Sequence, residues 1–172
     1  MGTEPPAATS DPPSGTGDRS GPSSFTGFYE RELAGQVRNA TLLLGSQEAA
    51  RDVVHDVFVA MYERWDAIAE PGPYVQRAVV NRCRDAQRHA EVARRHEPAL
   101  VRDTPEIDAP LYDALETLPF NHRAAVVLRY YLQLTEAEIA ERLDCPTGSV
   151  GPWIRRGLDR LATELDLHRE DR

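Results

Sequence analysis

L-T-E-A-E-I-A-E-R-L-D-C-P-T-G-S-V-G-P-W-I-R-R, from Leu134 to Arg156, is the stretch that decides the architecture of this chain. Thr135 with Glu138 three residues later is a capping box, in which a hydroxyl and a carboxylate each satisfy an open backbone N–H at the start of a helix. That helix is expected to end at Leu143, and Asp144-Cys145-Pro146 turns the chain. Val150, Ile154, Leu158, Leu161 and Leu165 then recur at helical spacing in a last helix. Two amphipathic helices joined by so short a turn have the layout of a helix-turn-helix. Ala137, Ile139, Ala140, Leu143, Val150 and Ile154 are expected to pack as its seam, with Arg155, Arg156 and Arg160 facing outward. Pattern alone leaves open a hairpin that merely packs.

Working back toward the N-terminus, Pro119 opens a helix that runs to about Tyr131, and Leu111, Ala114, Leu115 and Leu118 make a short one before it. Residues 98–110 hold Pro98, Pro105 and Pro110 and the acids Asp103, Glu106 and Asp108 against Arg102 alone, the composition of a linker. Before it a helix is expected from about Tyr74 to Arg95, with Pro71-Gly72-Pro73 breaking the chain ahead of it. A helix capped by Ser46 carries Ala50, Val53, Val54, Val57, Phe58, Met61, Tyr62 and Trp65 as its apolar face. Another, capped by Ser24 and closed by Gly45, carries Phe25, Phe28, Tyr29, Leu33, Val37, Ala40 and Leu44. Residues 1–24 are rich in Pro, Gly, Ser and Thr and are expected to be a disordered tail. The chain therefore divides into a tail (1–24), a helical unit (25–97), a linker (98–110) and a second helical unit (111–168). The fold class is all-α, two small domains with no strand-like alternation and no internal repeat.

Composition narrows the function. Cys83 and Cys145 are too few for a disulfide framework or a four-thiolate zinc site. No apolar run reaches the length of a membrane span and no signal peptide is visible, so a cytoplasmic setting without membrane contact is expected. His55, His89, His96, His122 and His168 have no metal-ligand spacing, and there is no phosphate loop or nucleophile elbow. No enzyme, no cofactor and no metal is expected. All 20 basic residues are Arg, and the formal charge of −8 speaks against indiscriminate nucleic-acid binding.

That charge is unevenly spread. Residues 47–76 carry Glu48, Asp52, Asp56, Glu63, Asp66 and Glu70 against Arg51 and Arg64, net −4. Residues 77–102 carry seven arginines against Asp85, Glu91 and Glu97, net +4. An acidic helix that invites a basic partner is followed by a basic one that suits a polyanion. At about 100° per residue, Arg77, Arg84, Arg88 and Arg95 fall within roughly 40° of one line, with Asn81 at its edge. Such a stripe follows a phosphate backbone, and the Asn suits a base edge; a plain solvated face is the alternative. Arg82 points toward the apolar side.

From about Phe25 to Leu165 the chain resembles the extracytoplasmic-function sigma factors, the small promoter-specificity subunits of bacterial RNA polymerase. G-S-Q-E-A-A-R-D-V-V-H-D-V-F-V-A-M-Y (Gly45 to Tyr62) is similar to the family's region-two helix that docks on the polymerase clamp. Y-V-Q-R-A-V-V-N-R-C-R-D (Tyr74 to Asp85) is similar to the segment that melts and reads the −10 element. Leu118 to Val150 is similar to the region-four helix-turn-helix that binds the −35 element. The Arg-rich, Lys-free style looks actinobacterial.

The resemblance implies a sigma factor that directs core polymerase to promoters and promotes DNA opening. Asp52, His55 and Asp56 match the polymerase-binding positions. Arg77, Asn81, Arg84, Arg88 and Arg95 match the −10 strand, and Asp66 to Pro73 the loop that holds a flipped-out base. Thr147, Ser149, Val150, Trp153, Arg155 and Arg156 are the −35 set. The implied partners are core polymerase, promoter DNA and, as a further class, an anti-sigma factor. The chain departs from the family at Gly151-Pro152-Trp153, where two cations are usual, and at Asp144, where Gly is common. The alternatives are a sigma-like interaction protein that reads DNA poorly and a conventional helix-turn-helix repressor.

Overall fold

Helix starts and stops along this chain are written in local chemistry. The computed structural model describes residues 24–94 and 109–170, so the expected tail and most of the expected linker lie outside the described residues. Helix α1 spans Phe25–Leu44. The Ser24 hydroxyl accepts from the Gly27 N–H at 3.0 Å, and Gly45 ends the helix in the left-handed region at φ 71°. Helix α2 spans Gln47–Tyr62, capped by Ser46, whose hydroxyl accepts from the Ala49 N–H at 3.2 Å. A single 3-10 turn, Trp65–Ala67, leads into α3, Pro71–Arg94.

Helix α3 corrects the expected chain break at Pro71-Gly72-Pro73. Both prolines sit in its first turn, where backbone N–H groups have no helical acceptor and nothing is lost. The second unit likewise begins earlier than expected, with α4 at Ala109–Glu116. Helix α5 spans Phe120–Tyr130, α6 Glu136–Leu143 and α7 Thr147–Glu170. Among the described residues there is no strand.

In the first half α1, α2 and α3 pack on one another; in the second, α7 packs on α4, α5 and α6. Phe25, Phe28, Tyr29, Phe58, Tyr62 and Trp65 form an aromatic cluster between α1, α2 and the 3-10 turn, with Tyr29–Phe58 and Phe25–Tyr62 centroids each 5.0 Å apart. Fully burying a ring of this size stabilises by about 1.5–3 kcal/mol, and Phe28 and Phe58 are the two rings of the cluster that are buried outright. Val54, Met61, Val75, Val79 and Cys83 are wholly enclosed behind them. In the second half α7 passes so close to α5 that a Cβ on Gly157 would lie 2.7 Å from the Val126 side chain.

The halves also touch each other. Helix α1 meets α4 and α5 on one side, and α3 meets α6 on the other. The arginine-bearing helix of the first half therefore lies against the helix-turn-helix of the second.

Candidate nucleic-acid interface

Asp52, His55 and Asp56 are all exposed on one face of α2, as their three- and four-residue spacing requires. Asp56 is paired with Arg82 of α3 at 3.3 Å, both side chains more than half exposed. Arg82 thus faces the acidic helix and not the apolar side. Val59 and Tyr62 continue the α2 face, 48% and 66% exposed, although the spacing of Tyr62 predicts the buried side. Its ring leans on Phe25 at the cluster's edge and leaves the other side open. An acidic surface with an exposed apolar strip is what a docking helix presents to a protein partner. Val59 standing among the acids is the signal for this strip in the sequence.

On α3 the expected stripe is assembled but not uniformly open. Arg77 and Arg88 are exposed, while Asn81 and Arg84 are half-buried. Arg95 lies outside the described residues. Arg84 Nη2 donates to the Leu143 carbonyl at 3.0 Å, its guanidinium lies 5.6 Å from the Phe120 ring centroid, and its Nη1 reaches Asn81 Oδ1 at 3.5 Å. Arg77 lies 3.9 Å from the Asp144 carboxylate. Beside this stripe the loop before α3 and the end of α6 enclose a cleft of about 850 Å³, lined by Ile68, Glu70, Tyr74, Arg77, Arg142 and Asp144.

The helix-turn-helix has the expected capping box. Thr135 Oγ1 accepts from the Glu138 N–H, and Glu138 Oε2 accepts from the Thr135 N–H at 2.8 Å and from its hydroxyl at 2.7 Å. Those bonds favour the ionised carboxylate and hold Glu138 below the usual range. Ile139, Ala140, Leu143, Val150 and Ile154 are buried in the seam, whereas Ala137 is exposed.

Of the −35 set, Thr147, Arg155 and Arg156 are exposed and Ser149 is half-buried. Val150 is completely buried, so it is a seam residue and not a surface contact. Trp153 is half-buried and packs on the core. Arg160 is engaged within its own domain, by Thr117 at 3.2 Å and Glu164 at 3.7 Å. Pro152 lies inside α7, beyond its first turn, so the Gly148 carbonyl has no helical donor four residues on. A Cβ on Gly151 would lie 3.3 Å from a Glu136 carboxylate oxygen. The exposed start of α7 is therefore short of side chains and bordered by an acid.

Among the described residues no group of His, Cys, Asp and Glu is placed to hold a metal ion, and no helix is long and apolar enough to cross a membrane. Burial pushes the Cys83 thiol up to about 12, which removes it as a nucleophile.

Residues 108–161 match the family described as sigma-70, region 4. The chain is 32% identical over 154 residues to the RNA polymerase sigma-E factor of Streptomyces avermitilis, covering 79% of this chain and 86% of that one. It is 31% identical over 141 residues to the protein of the same name from Streptomyces antibioticus, covering 72% and 78%. Its fold is similar to the sigma factor RpoE solved in complex with the anti-sigma factor NepR from Bartonella quintana, with a TM-score of 0.71 at 15% identity, covering 83% of this chain and 96% of that one. It is also similar to CnrH solved in complex with the cytosolic domain of CnrY, with a TM-score of 0.62 at 22% identity, covering 83% and 88%.

Proposed function

The chain belongs to the extracytoplasmic-function sigma factors, which direct bacterial RNA polymerase to promoters, and from that premise we propose how its surfaces divide the work. The exposed face of α2, with Asp52, His55, Asp56, Val59 and Tyr62, docks on a basic surface of core polymerase. The α3 stripe tracks the opened −10 strand, Arg77, Arg84 and Arg88 on phosphates and Asn81 on a base edge. The cleft beside it receives a base that has left the stack. Thr147, Ser149, Arg155 and Arg156 contact the −35 duplex. The segment between α3 and α4 joins two DNA-reading units, so that weak separate contacts add up to one stable complex. The chain works in the cytoplasm and contributes recognition only, with RNA synthesis left to the core enzyme. An anti-sigma factor is a further partner class, as it is for the sigma factor RpoE solved with NepR.

The observation that carries this division is the pairing of opposite faces in one three-helix unit. An acidic and apolar face on α2 lies beside an arginine face on α3, joined at Asp56–Arg82. A repressor that binds duplex DNA alone has no use for the first. Glu136 beside Gly151, with Pro152 inside α7, favours weak −35 binding and promoter choice resting mostly on the −10 element.

Charge reversal at α2 tests the docking face. Asp52→Arg and Asp56→Arg are each expected to abolish co-purification with core polymerase, because a like charge then faces a basic partner at a desolvated contact. Both side chains are exposed, so helicity is expected to be unchanged. Undiminished co-purification would remove α2 as the docking helix.

A further inference from the structure

The end of α6 is electrically similar to a phosphate backbone. Its last carbonyls carry the negative end of the helix dipole, and Asp144 adds a carboxylate in the left-handed position at φ 52°. The Leu143 carbonyl and that carboxylate are the groups that meet Arg84 and Arg77. Two further arginines close the same junction from the other half: Arg142 Nε donates to Gln76 at 3.3 Å, and Arg123 Nη2 donates to Gln87 at 3.2 Å. The closure nonetheless leaves Arg84 incompletely satisfied, since its buried Nε has no hydrogen-bond partner. A phosphate offers that guanidinium a charged, two-oxygen partner in place of one neutral carbonyl.

We propose that the C-terminal end of α6, through the Leu143 carbonyl and Asp144, is an internal stand-in for DNA that competes with single-stranded promoter DNA for Arg84 and Arg77. The inference rests on the reading of α3 as the −10 stripe. In the closed form the chain covers part of its DNA-reading face with its own helix-turn-helix, and DNA binding requires the two halves to part. The contacts between α3 and α6 are polar and Arg-based, and those made by Arg84 and Arg77 are replaceable by phosphate contacts; α1 meets α4 and α5 separately, on the other side. Asp144 in place of the common Gly is the residue that adds charge to this lock.

The test uses the full chain and a labelled single strand of random sequence, about 20 nucleotides long, because phosphate contacts are sequence-independent. Arg142→Gln with Asp144→Asn weakens the junction without changing net charge, and Asn tolerates the left-handed position. Gln76→Leu removes the acceptor of Arg142 from the other side and is also neutral. Both variants are expected to enlarge the radius of gyration in solution scattering and to bind the strand several-fold more tightly. Releasing two arginines is expected to steepen the salt dependence by about 1.4 in log K per log salt, at about 0.7 for each phosphate neutralised. If both variants keep their helicity and bind with unchanged affinity and slope, α6 is not a competitor and the proposal is overturned. Arg88→Ala, placed in the opened background, tests the underlying reading separately: it is expected to weaken binding, and no effect there would instead remove the stripe as a DNA surface.

Discussion

Asn39 lies wholly inside the three-helix half, and neither atom of its side-chain amide has a hydrogen-bond partner. Gln36, one turn earlier, is nearly as buried but donates to Glu32 at 3.2 Å. An enclosed polar group without a partner costs about 1–3 kcal/mol, and an apolar side chain of similar shape avoids that cost. Asn39→Leu is therefore expected to raise the melting temperature, by about 2–4 °C for each kcal/mol of added stability. A lower melting temperature would mean that the amide makes a compensating interaction. Residues of this kind are the least legible in the sequence. Asn39 sits two positions after Val37 and one before Ala40, and a helical pattern of apolar residues says nothing about a polar one enclosed between neighbouring helices.

At the scale of the element, legibility follows the range of the cause. Ser24, Ser46 and the Thr135–Glu138 box act within one turn, and α1, α2 and α6 start where those residues place them. Proline is harder because its effect depends on position: Pro71 and Pro73 open α3, while Pro152 lies inside α7. Periodicity places Val54, Met61 and Val150 on buried faces correctly and misplaces Tyr62 and Ala137, which stand at the edges of theirs. The junction of α3 with α6 leaves no trace in the sequence, because Arg84 and the Leu143 carbonyl are 59 residues apart.

Helix α7 carries the element-scale prediction. Proline in a helix interior costs about 3 kcal/mol, and Gly151 withholds a side chain from the exposed start of α7. Gly151→Lys with Pro152→Ser is expected to raise the melting temperature and to strengthen binding to duplex carrying the chain's own promoter. The salt slope is expected to steepen by about 0.9 for each additional phosphate that the variant neutralises. Because Glu136 lies where the new Lys would pass, adding Glu136→Gln is expected to increase the effect. Loss of binding by the double variant would mean that the Gly-Pro start of α7 is itself the reading surface.

For the whole molecule, a net charge of −8 conceals a division of labour. The acids collect on α2 and the arginines on α3, and Asp56–Arg82 marks the line between them. On the proposed reading, such an arrangement suits a basic protein surface on one side and a polyanion on the other while discouraging loose binding to DNA. The central claim is that this chain confers promoter choice on a polymerase that otherwise has none. The direct measurement is transcription in vitro by core RNA polymerase freed of sigma factors, on a library of templates with randomised upstream sequence, reading the 5′ ends of the transcripts. With the chain added, transcripts are expected to start downstream of a shared −10 sequence with a weaker −35 preference, and Asn81→Ala is expected to change that −10 sequence. Transcription no greater than that of core enzyme alone, under conditions where another sigma factor activates the same enzyme, would contradict the account.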